Sequence, residues 1–481
     1  MNRRFVFRLL GKMFMVTSAL MVLPLIVSLV YGEDCYTSFL LSMGISLAIG
    51  FPLMVFNKTE DRVIYAKEGF VVVALLWICM SAVGALPFVL SGEIPSYVDA
   101  FFETVSGFTT TGASILANVE ALSKGMLFWR SFTHWVGGMG VLVFIMAILP
   151  ASNDRSIHIL RAEAPGPIVG KLAPKMRDTA IILYLIYIVL TIIEFIMLLC
   201  GGMPVFDSLV HTFGTAGTGG FGIKSDSIAS YSPYLQWVIA VFMMIFGVNF
   251  NLYYLILIKK IKNIFKSEEL WVYVGISVIC TAVIAINISG MYDSFADTLR
   301  TSSFQVASII TTTGYATADF NLWPELSKTV LLILMFMGSC AGSTAGGFKI
   351  SRVILLFKMI RREVKILLHP RAVSVVRFEG KKVEEPVMKS LSAYFSIYVL
   401  CFVSIFILIS LDGNFDILTN FSAAASCFNN IGPGLGSVGP ALNYADYSVF
   451  SKIVLSVAML LGRLEIYPVL FFMSRAAWSK K

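Results

Sequence analysis

The stretch DAFFETVSGFTTTGAS, Asp99–Ser114, decides how the rest of this chain is read. It opens on an acidic residue, continues as an apolar, small-residue segment of helical character, and ends in threonines and glycine. It is too short and too broken to cross a bilayer, yet it lies between apolar runs that are long enough to do so. Three later stretches have the same design. They are DSLVHTFGTAGTGGFGIKSDS (Asp207–Ser227), DTLRTSSFQVASIITTTGYATADF (Asp297–Phe320) and DILTNFSAAASCFNNIGPGLGSVG (Asp416–Gly439). Each predicts a half-helix with its Asp as N-cap, followed by a glycine turn. The pivotal glycines, Gly112, Gly220, Gly314 and Gly432, recur 94–118 residues apart, so the unit of span, half-helix, glycine turn and span repeats four times.

Composition sets the solvent. Of 481 residues, 57% are hydrophobic and 14% charged. A soluble domain carries about 25% charged residues. An all-α polytopic membrane protein is expected, with ten spans near 13–32, 36–56, 69–91, 126–150, 179–201, 234–258, 270–290, 327–361 (interrupted), 390–411 and 449–473. Two leading helices (1–68) precede four pseudo-symmetric repeats around one pore, at 69–178, 179–269, 270–389 and 390–481. The basic N-terminus, Met1–Lys12, leads into an apolar run without a convincing cleavage site and reads as a retained first helix. With Met1 cytoplasmic, the outer segments and their flanks hold five basic residues against fifteen acidic ones. The other basic residues, apart from Arg130 and Arg463 inside spans, then face the cytoplasm, as do both termini. That asymmetry explains the net charge of +8 without any nucleic-acid partner.

Re-entrant backbone is tolerated at membrane depth only where protein buries it or where it lines an aqueous cavity. Half-helices entering from outside aim their C-terminal ends, each about half a negative charge, at a common axis, which favours a cation. Glycine turns then present backbone carbonyls in place of the ion's water. The candidate ion-binding residues are Thr110, Thr111 and Gly112; Thr218, Gly219 and Gly220; Thr312, Thr313 and Gly314; and, more loosely matched, Asn430, Ile431 and Gly432. The eighth span alone contains a run of small residues, Gly338-Ser339-Cys340-Ala341-Gly342-Ser343-Thr344-Ala345-Gly346-Gly347. The residues leave two readings open: a loop below the turns that blocks or clears the path, or close helix packing through Gly338, Gly342 and Gly346. Arg463, near the middle of the tenth span, needs a partner. Glu465 projects from another side of the helix, which leaves carbonyls around Gly342–Gly346 or a distant acid such as Glu194. Arg130, near the start of a span, is expected to snorkel and anchor its helix.

Other chemistries find no support. The seven cysteines form no CxxC, the four histidines are dispersed, and HExxH, GxSxG and a Walker motif are absent, so neither an enzyme nor an ATPase is expected. A secondary transporter of another cation, proton- or sodium-coupled, or of a small solute is the alternative. Such proteins typically pair inverted halves and aim helix N-termini at their substrate.

GFTTTGA, GTGGF, ITTTGYAT and NNIGPGLG resemble, in order, the four filter segments of the Trk/Ktr/HKT superfamily of potassium transporters. HWVGGMG (His134–Gly140) and GSCAGSTAGG support the same resemblance, and the two leading spans resemble the bacterial Trk membrane subunit of the TrkH/TrkG type. The resemblance implies potassium as the transported ion, a homodimer in the bacterial inner membrane, and a cytosolic nucleotide-binding (TrkA-like) regulatory ring. It also implies that the small-residue run is an intramembrane gating loop, with Gly338, Gly342, Ser343, Gly346, Gly347 and Arg463 as gate residues. A serine in the first filter segment marks sodium-preferring members, and this chain has Gly112 there. Gly112→Ser is therefore expected to admit sodium more readily; unchanged sodium competition in a potassium flux assay would count against the filter assignment.

Overall fold

The computed structural model describes residues 3–57, 66–140, 176–371 and 374–478. The first helices are α1 (Arg3–Leu20), α2 (Val22–Tyr31), α3 (Tyr36–Phe56), α4 (Ala66–Gly84), α5 (Leu86–Ser91), α6 (Tyr97–Phe108) and α7 (Lys124–Gly138). Next come α8 (Met176–Cys200), α9 (Val205–Gly217), α10 (Pro233–Phe246), α11 (Phe250–Leu257), α12 (Glu268–Ile288), α13 (Phe295–Ile310), α14 (Glu325–Met337) and α15 (Ile350–Leu368). The chain ends with α16 (Glu385–Ser410), α17 (Ile417–Asn429), α18 (Val449–Arg463), α19 (Tyr467–Met473) and α20 (Arg475–Trp478). Among the described residues, strand is confined to one antiparallel hairpin, Arg377–Phe378 against Lys381–Lys382.

Burial sorts these helices into two kinds. Six helical stretches are long and apolar enough to cross a membrane: Arg3–Tyr31, Tyr36–Phe56, Gly69–Ser91, Asp178–Cys200, Glu268–Met291 and Glu385–Ser410. Several turn apolar side chains outward, as α8 does with Leu185, Val189, Ile192 and Ile196, which is stable where hydrocarbon is the solvent. The short helices α6, α9, α13 and α17 are the inverse. From Thr419 onward α17 is buried at all but one position, and α6 is buried from Phe102 to its end. Long helices thus wall in short ones.

Continuous helix is missing in more places than the sequence predicts. The small-residue run is non-helical between α14 and α15, which removes the helix-packing reading of Gly338, Gly342 and Gly346. The region 234–258, read as one uninterrupted span, bends by 90° between α10 and α11. That break is filled by the run itself. Cys340 N–H donates to the Gly247 carbonyl (3.1 Å) and Phe250 N–H donates to the Gly342 carbonyl (3.0 Å). The region 449–473 breaks as well, at Glu465 (φ 53°) and Ile466 (φ 69°), which places Arg463 at a helix end rather than mid-helix. Backbone groups freed at 247–250 and in the small-residue run satisfy one another, while those at 465–467 bond locally, the condition for leaving helix inside a membrane protein. Helix α1 begins at Arg3, earlier than expected. The second half of the expected span 126–150 and most of the basic segment 151–178 lie outside the described residues.

The leading helices pack through glycine. A Cβ on Gly11 would meet the Gly50 carbonyl oxygen and Met54 nitrogen at 2.6 Å, and one on Gly50 would meet Phe14 Cβ at 2.8 Å. The same crossing carries a hydrogen bond from Ser46 Oγ to the Phe14 carbonyl (2.7 Å). Small residues and an interhelical hydrogen bond replace the hydrophobic drive that lipid does not supply. Gly50→Val is expected to cost about 1–3 kcal/mol by overpacking, read as a lowered unfolding temperature in detergent.

Candidate functional site

The four short helices start with their acids in a position other than the expected one. Only Asp416 is an N-cap, accepting from Thr419 N–H (3.1 Å). Asp99, Asp207 and Asp297 lie one turn in, three residues after Ser96, Pro204 and Ser294. In α13 the result is a reciprocal cap: Asp297 N–H donates to Ser294 Oγ (3.1 Å), which donates to Asp297 Oδ2 (2.7 Å). Acidic charge in the first turn suits the helix dipole as well as an N-cap does.

Their C-terminal ends share one backbone path. At the end of α6, Thr110 N–H bonds Gly107 O (3.1 Å) and Thr111 N–H bonds Ser106 O (2.9 Å), the paired bonds of a Schellman cap. The same pair recurs as Thr218→Thr215 and Gly219→Gly214, as Thr312→Ile309 and Thr313→Ser308, and as Asn430→Cys427 and Ile431→Ser426. Such a cap requires a left-handed residue, and Thr110, Thr218, Thr312 and Asn430 have φ of 54–57°. Glycine usually fills that place; a side chain there costs about 1–3 kcal/mol and persists only where its surroundings force it. Two residues further on, Gly112, Gly220, Gly314 and Gly432 again have positive φ, 79–101°.

These turns close a ring. A Cβ on Gly112 would collide with the Gly219 carbonyl, one on Gly220 with that of Thr313, and one on Gly314 with that of Ile431; one on Gly432 would sit 2.7 Å from that of Thr111. Neighbours around the ring are therefore neighbours in sequence, and the fourth segment returns to the first. Of the twelve expected residues, only Gly432 has a carbonyl that accepts a hydrogen bond among the described residues, from Ser426 Oγ (2.7 Å) and Tyr444 Oη (2.8 Å). The other carbonyls remain free although their residues are buried or half-buried. Unpaired buried carbonyls are costly unless something replaces the lost water.

Each joint of the ring is braced, by Asn430 of the expected set and by residues to which the sequence assigned another role or none. His134 lies between the first and second segments: Nδ1 bonds the Gly107 carbonyl (2.7 Å) and Nε2 accepts from Phe221 N–H (3.3 Å). Arg130 is buried there too. It pairs with Glu103 (2.5 Å), donates to the Gly222 carbonyl (3.0 Å) and stacks 3.5 Å from the Phe221 ring centre. Snorkelling is thus excluded: the guanidinium is held by fixed partners behind the ring. Tyr315 Oη reaches the Phe221 carbonyl (3.2 Å) from the third segment. Asn321 bonds both backbone groups of Gly436 (3.0 and 3.1 Å), and Asn430 Nδ2 donates to Thr111 Oγ1 (2.9 Å). A charge inside an apolar span was the one available signal, for Arg130. His134 opens the HWVGGMG segment, but nothing local marks its bracing role, and nothing local marks Asn321.

The interrupted run lies directly against this ring. Gly346 N–H donates to Thr312 Oγ1 (2.7 Å), and a Cβ on Gly346 would meet the Asn429 carbonyl at 2.6 Å. Gly338, Gly342 and Gly347 have φ of 68–76°, and Ser343 bonds the Cys340 carbonyl (2.7 Å). Arg463 donates to the Thr344 carbonyl (2.7 Å) and to the Gly138 and Gly137 carbonyls at the end of α7. Of the two partners the sequence allows, Arg463 therefore takes loop carbonyls, while Glu194 lies beside Thr215. Glu465 pairs instead with Arg352. Lys349, counted from sequence among the basic residues that face the cytoplasm, is buried with Nζ on the Ala345 carbonyl. Two cations therefore occupy carbonyls immediately beneath the ring.

Comparison with known proteins then places the molecule. The TrkH family model, described as cation transport protein, matches residues 38–271 and 268–480, and the chain belongs to that family. It is 37% identical to the Trk system potassium uptake protein TrkH of Salmonella typhimurium, over 99% of this chain and all of that one. It is 34% identical to the Trk system potassium uptake protein TrkG of Escherichia coli, over 99% and 98% of the two chains. The crystal structure of the potassium transporter TrkH from Vibrio parahaemolyticus superposes over the full length of both chains with a TM-score of 0.90 at 33% identity.

Truncating one member of a buried ion pair costs about 3–5 kcal/mol. Arg130→Met is therefore expected to lower the unfolding temperature sharply. Adding Glu103→Gln, which keeps the acceptor used by Ile115 N–H (3.0 Å), should restore part of the loss; equal damage in single and double variants would show that the pair is not the source.

Proposed function

We propose that potassium crosses the membrane along the axis of the four-turn ring. Potassium uptake is the function, and the chain is a membrane transporter rather than an enzyme. The free carbonyls of Thr110, Thr111, Gly112, Thr218, Gly219, Gly220, Thr312, Thr313, Gly314, Asn430 and Ile431 are the observation that carries the mechanism. Carbonyl dipoles in stacked layers replace a cation's hydration shell, and the four helix C-termini behind them add negative potential. Anions are repelled by the same field.

In this reading the chain is organised as two leading spans (1–68) and four repeats (69–178, 179–269, 270–389, 390–481), ten spans in all. Both termini face the cytoplasm of a bacterial cell, in its inner membrane. The excess of Lys and Arg on one side supports that orientation. Residues 338–349 form the gate. Arg463 and Lys349 occupy the Thr344 and Ala345 carbonyls, so the loop presents positive charge where a leaving potassium ion would have to pass. Conduction requires this segment to move away from Thr312 and Asn430. The amphipathic, basic α15 that follows the gate is the element best placed to meet a cytosolic nucleotide-binding regulatory ring, and the assembly is a homodimer.

Purified protein in liposomes tests this reading through rubidium or potassium influx, with sodium as competitor and an imposed proton gradient. Arg463→Ala is expected to raise the transport rate several-fold while leaving potassium-over-sodium preference unchanged. A folded Arg463→Ala protein with unaltered flux would sink the gate assignment, and a changed ion preference would move Arg463 into the selective site.

A further inference from the structure

Glu269 is buried at the start of α12, and its carboxylate points at another part of the chain. Oε1 accepts from Ala341 N–H (2.7 Å) and from Ser351 N–H (3.2 Å). Ala341 lies in the proposed gate loop, and Ser351 is the second residue of α15, the helix that follows it. The N-cap of α15 is Lys349, whose side chain makes no cap bond. Glu269 thus supplies the capping carboxylate from a different helix, and it is a suitable group for that end of the dipole. One oxygen holds both ends of the loop.

The backbone of Glu269 is tied in turn. Its N–H donates to Glu379 Oε1 (3.1 Å), and the same oxygen accepts from Ser267 Oγ (3.0 Å). Glu379 occupies the two-residue turn of the only strand hairpin among the described residues, with φ of 49° followed by 74° at Gly380. Gly380 is exposed, as are the flanking Lys381 and Lys382. Lys358 of α15 reinforces the junction, pairing with Glu268 (2.5 Å) and donating to the Arg377 carbonyl (2.8 Å). A continuous set of hydrogen bonds therefore runs from an exposed hairpin, through the first turn of α12, to the loop beneath the ring.

We infer that Glu269 is the positioning residue that latches the loop 338–349 closed, and that Glu379 in the hairpin is the handle through which that latch is released. The inference rests on the loop being the gate. Displacing the hairpin withdraws Glu379 from α12, frees its first turn, and removes the acceptor that Ala341 and Ser351 share. The carboxylate need not change protonation for this, because the step is mechanical.

Liposome flux of the full-length chain tests it. Glu269→Ala is expected to raise basal rubidium influx about fivefold or more without altering sodium competition. Glu269→Gln keeps an acceptor oxygen and should stay near the parent rate. Glu379→Ala should raise influx to a smaller degree, and the double variant Glu269→Ala/Glu379→Ala should match Glu269→Ala alone, since both act through one element. Equal influx in folded Glu269→Ala and parent protein would overturn the latch, and additive effects in the double variant would overturn the connection to Glu379. Deleting residues 342–346 separates this from the underlying reading. If the deletion raises influx and Glu269→Ala does not, the latch alone fails; if neither does, the gate reading fails with it.

Discussion

The Schellman cap at the end of each short helix is the constraint on which the rest depends. It satisfies the last amide hydrogens of the turn from within the helix and so leaves eleven of the twelve ring carbonyls with no partner among the described residues. Those carbonyls can be buried only if a cation or water takes their place. The long helices supply the burial, and the cap fixes the direction. Three threonines are held in a left-handed conformation that a β-branched side chain resists. Their strain is repaid by the cross-bracing of His134, Arg130, Tyr315 and Asn430, which over-determines each turn from two sides.

Much of this was legible in the sequence because the signals are local and repeated. A Thr/Gly turn after a short apolar helix, four times between longer apolar runs, is a pattern that soluble folds do not need. What sequence could not supply lies in the contacts between segments. Asp99, Asp207 and Asp297 look like N-caps, yet the serine or proline three residues earlier takes that role, because an acid one turn in satisfies the same dipole. Arg130 looks like an interfacial anchor until Glu103 and Phe221, from other elements, close around it. The breaks at Gly247–Asn249 and at Glu465–Ile466 were missed because neither contains a run of helix breakers. The first exists because the loop 338–349, distant in sequence, offers partners to the backbone groups it exposes; at the second the backbone bonds locally and Glu465 is left where Arg352 pairs with it.

Below the ring the structure changes sign. Above, carbonyls are free; in the loop, the Thr344 and Ala345 carbonyls are each held by a cation of the protein. In the proposed reading, an ion leaving the ring would meet carbonyls that are already engaged and two positive charges that compete for them. The same guanidinium reaches the end of α7, so the loop is tied to the first, third and fourth parts of the chain at once. Moving it is a collective event rather than the swing of a single side chain.

The hydrogen bonds that Ser426 and Tyr444 make to the Gly432 carbonyl set this layer of the ring apart from the others and bear on how long an ion would stay there. If the ring holds a cation as proposed, the layer of Gly112, Gly220 and Gly314 would offer it three free carbonyls rather than four. An ion there would keep part of its hydration, be held less deeply than at a complete four-sided site, and exchange quickly with the solution. In that reading dwell time would be set by the other layers, so occupancy of the glycine layer would track the concentration of the solution it faces while discrimination would fall to the remaining carbonyls.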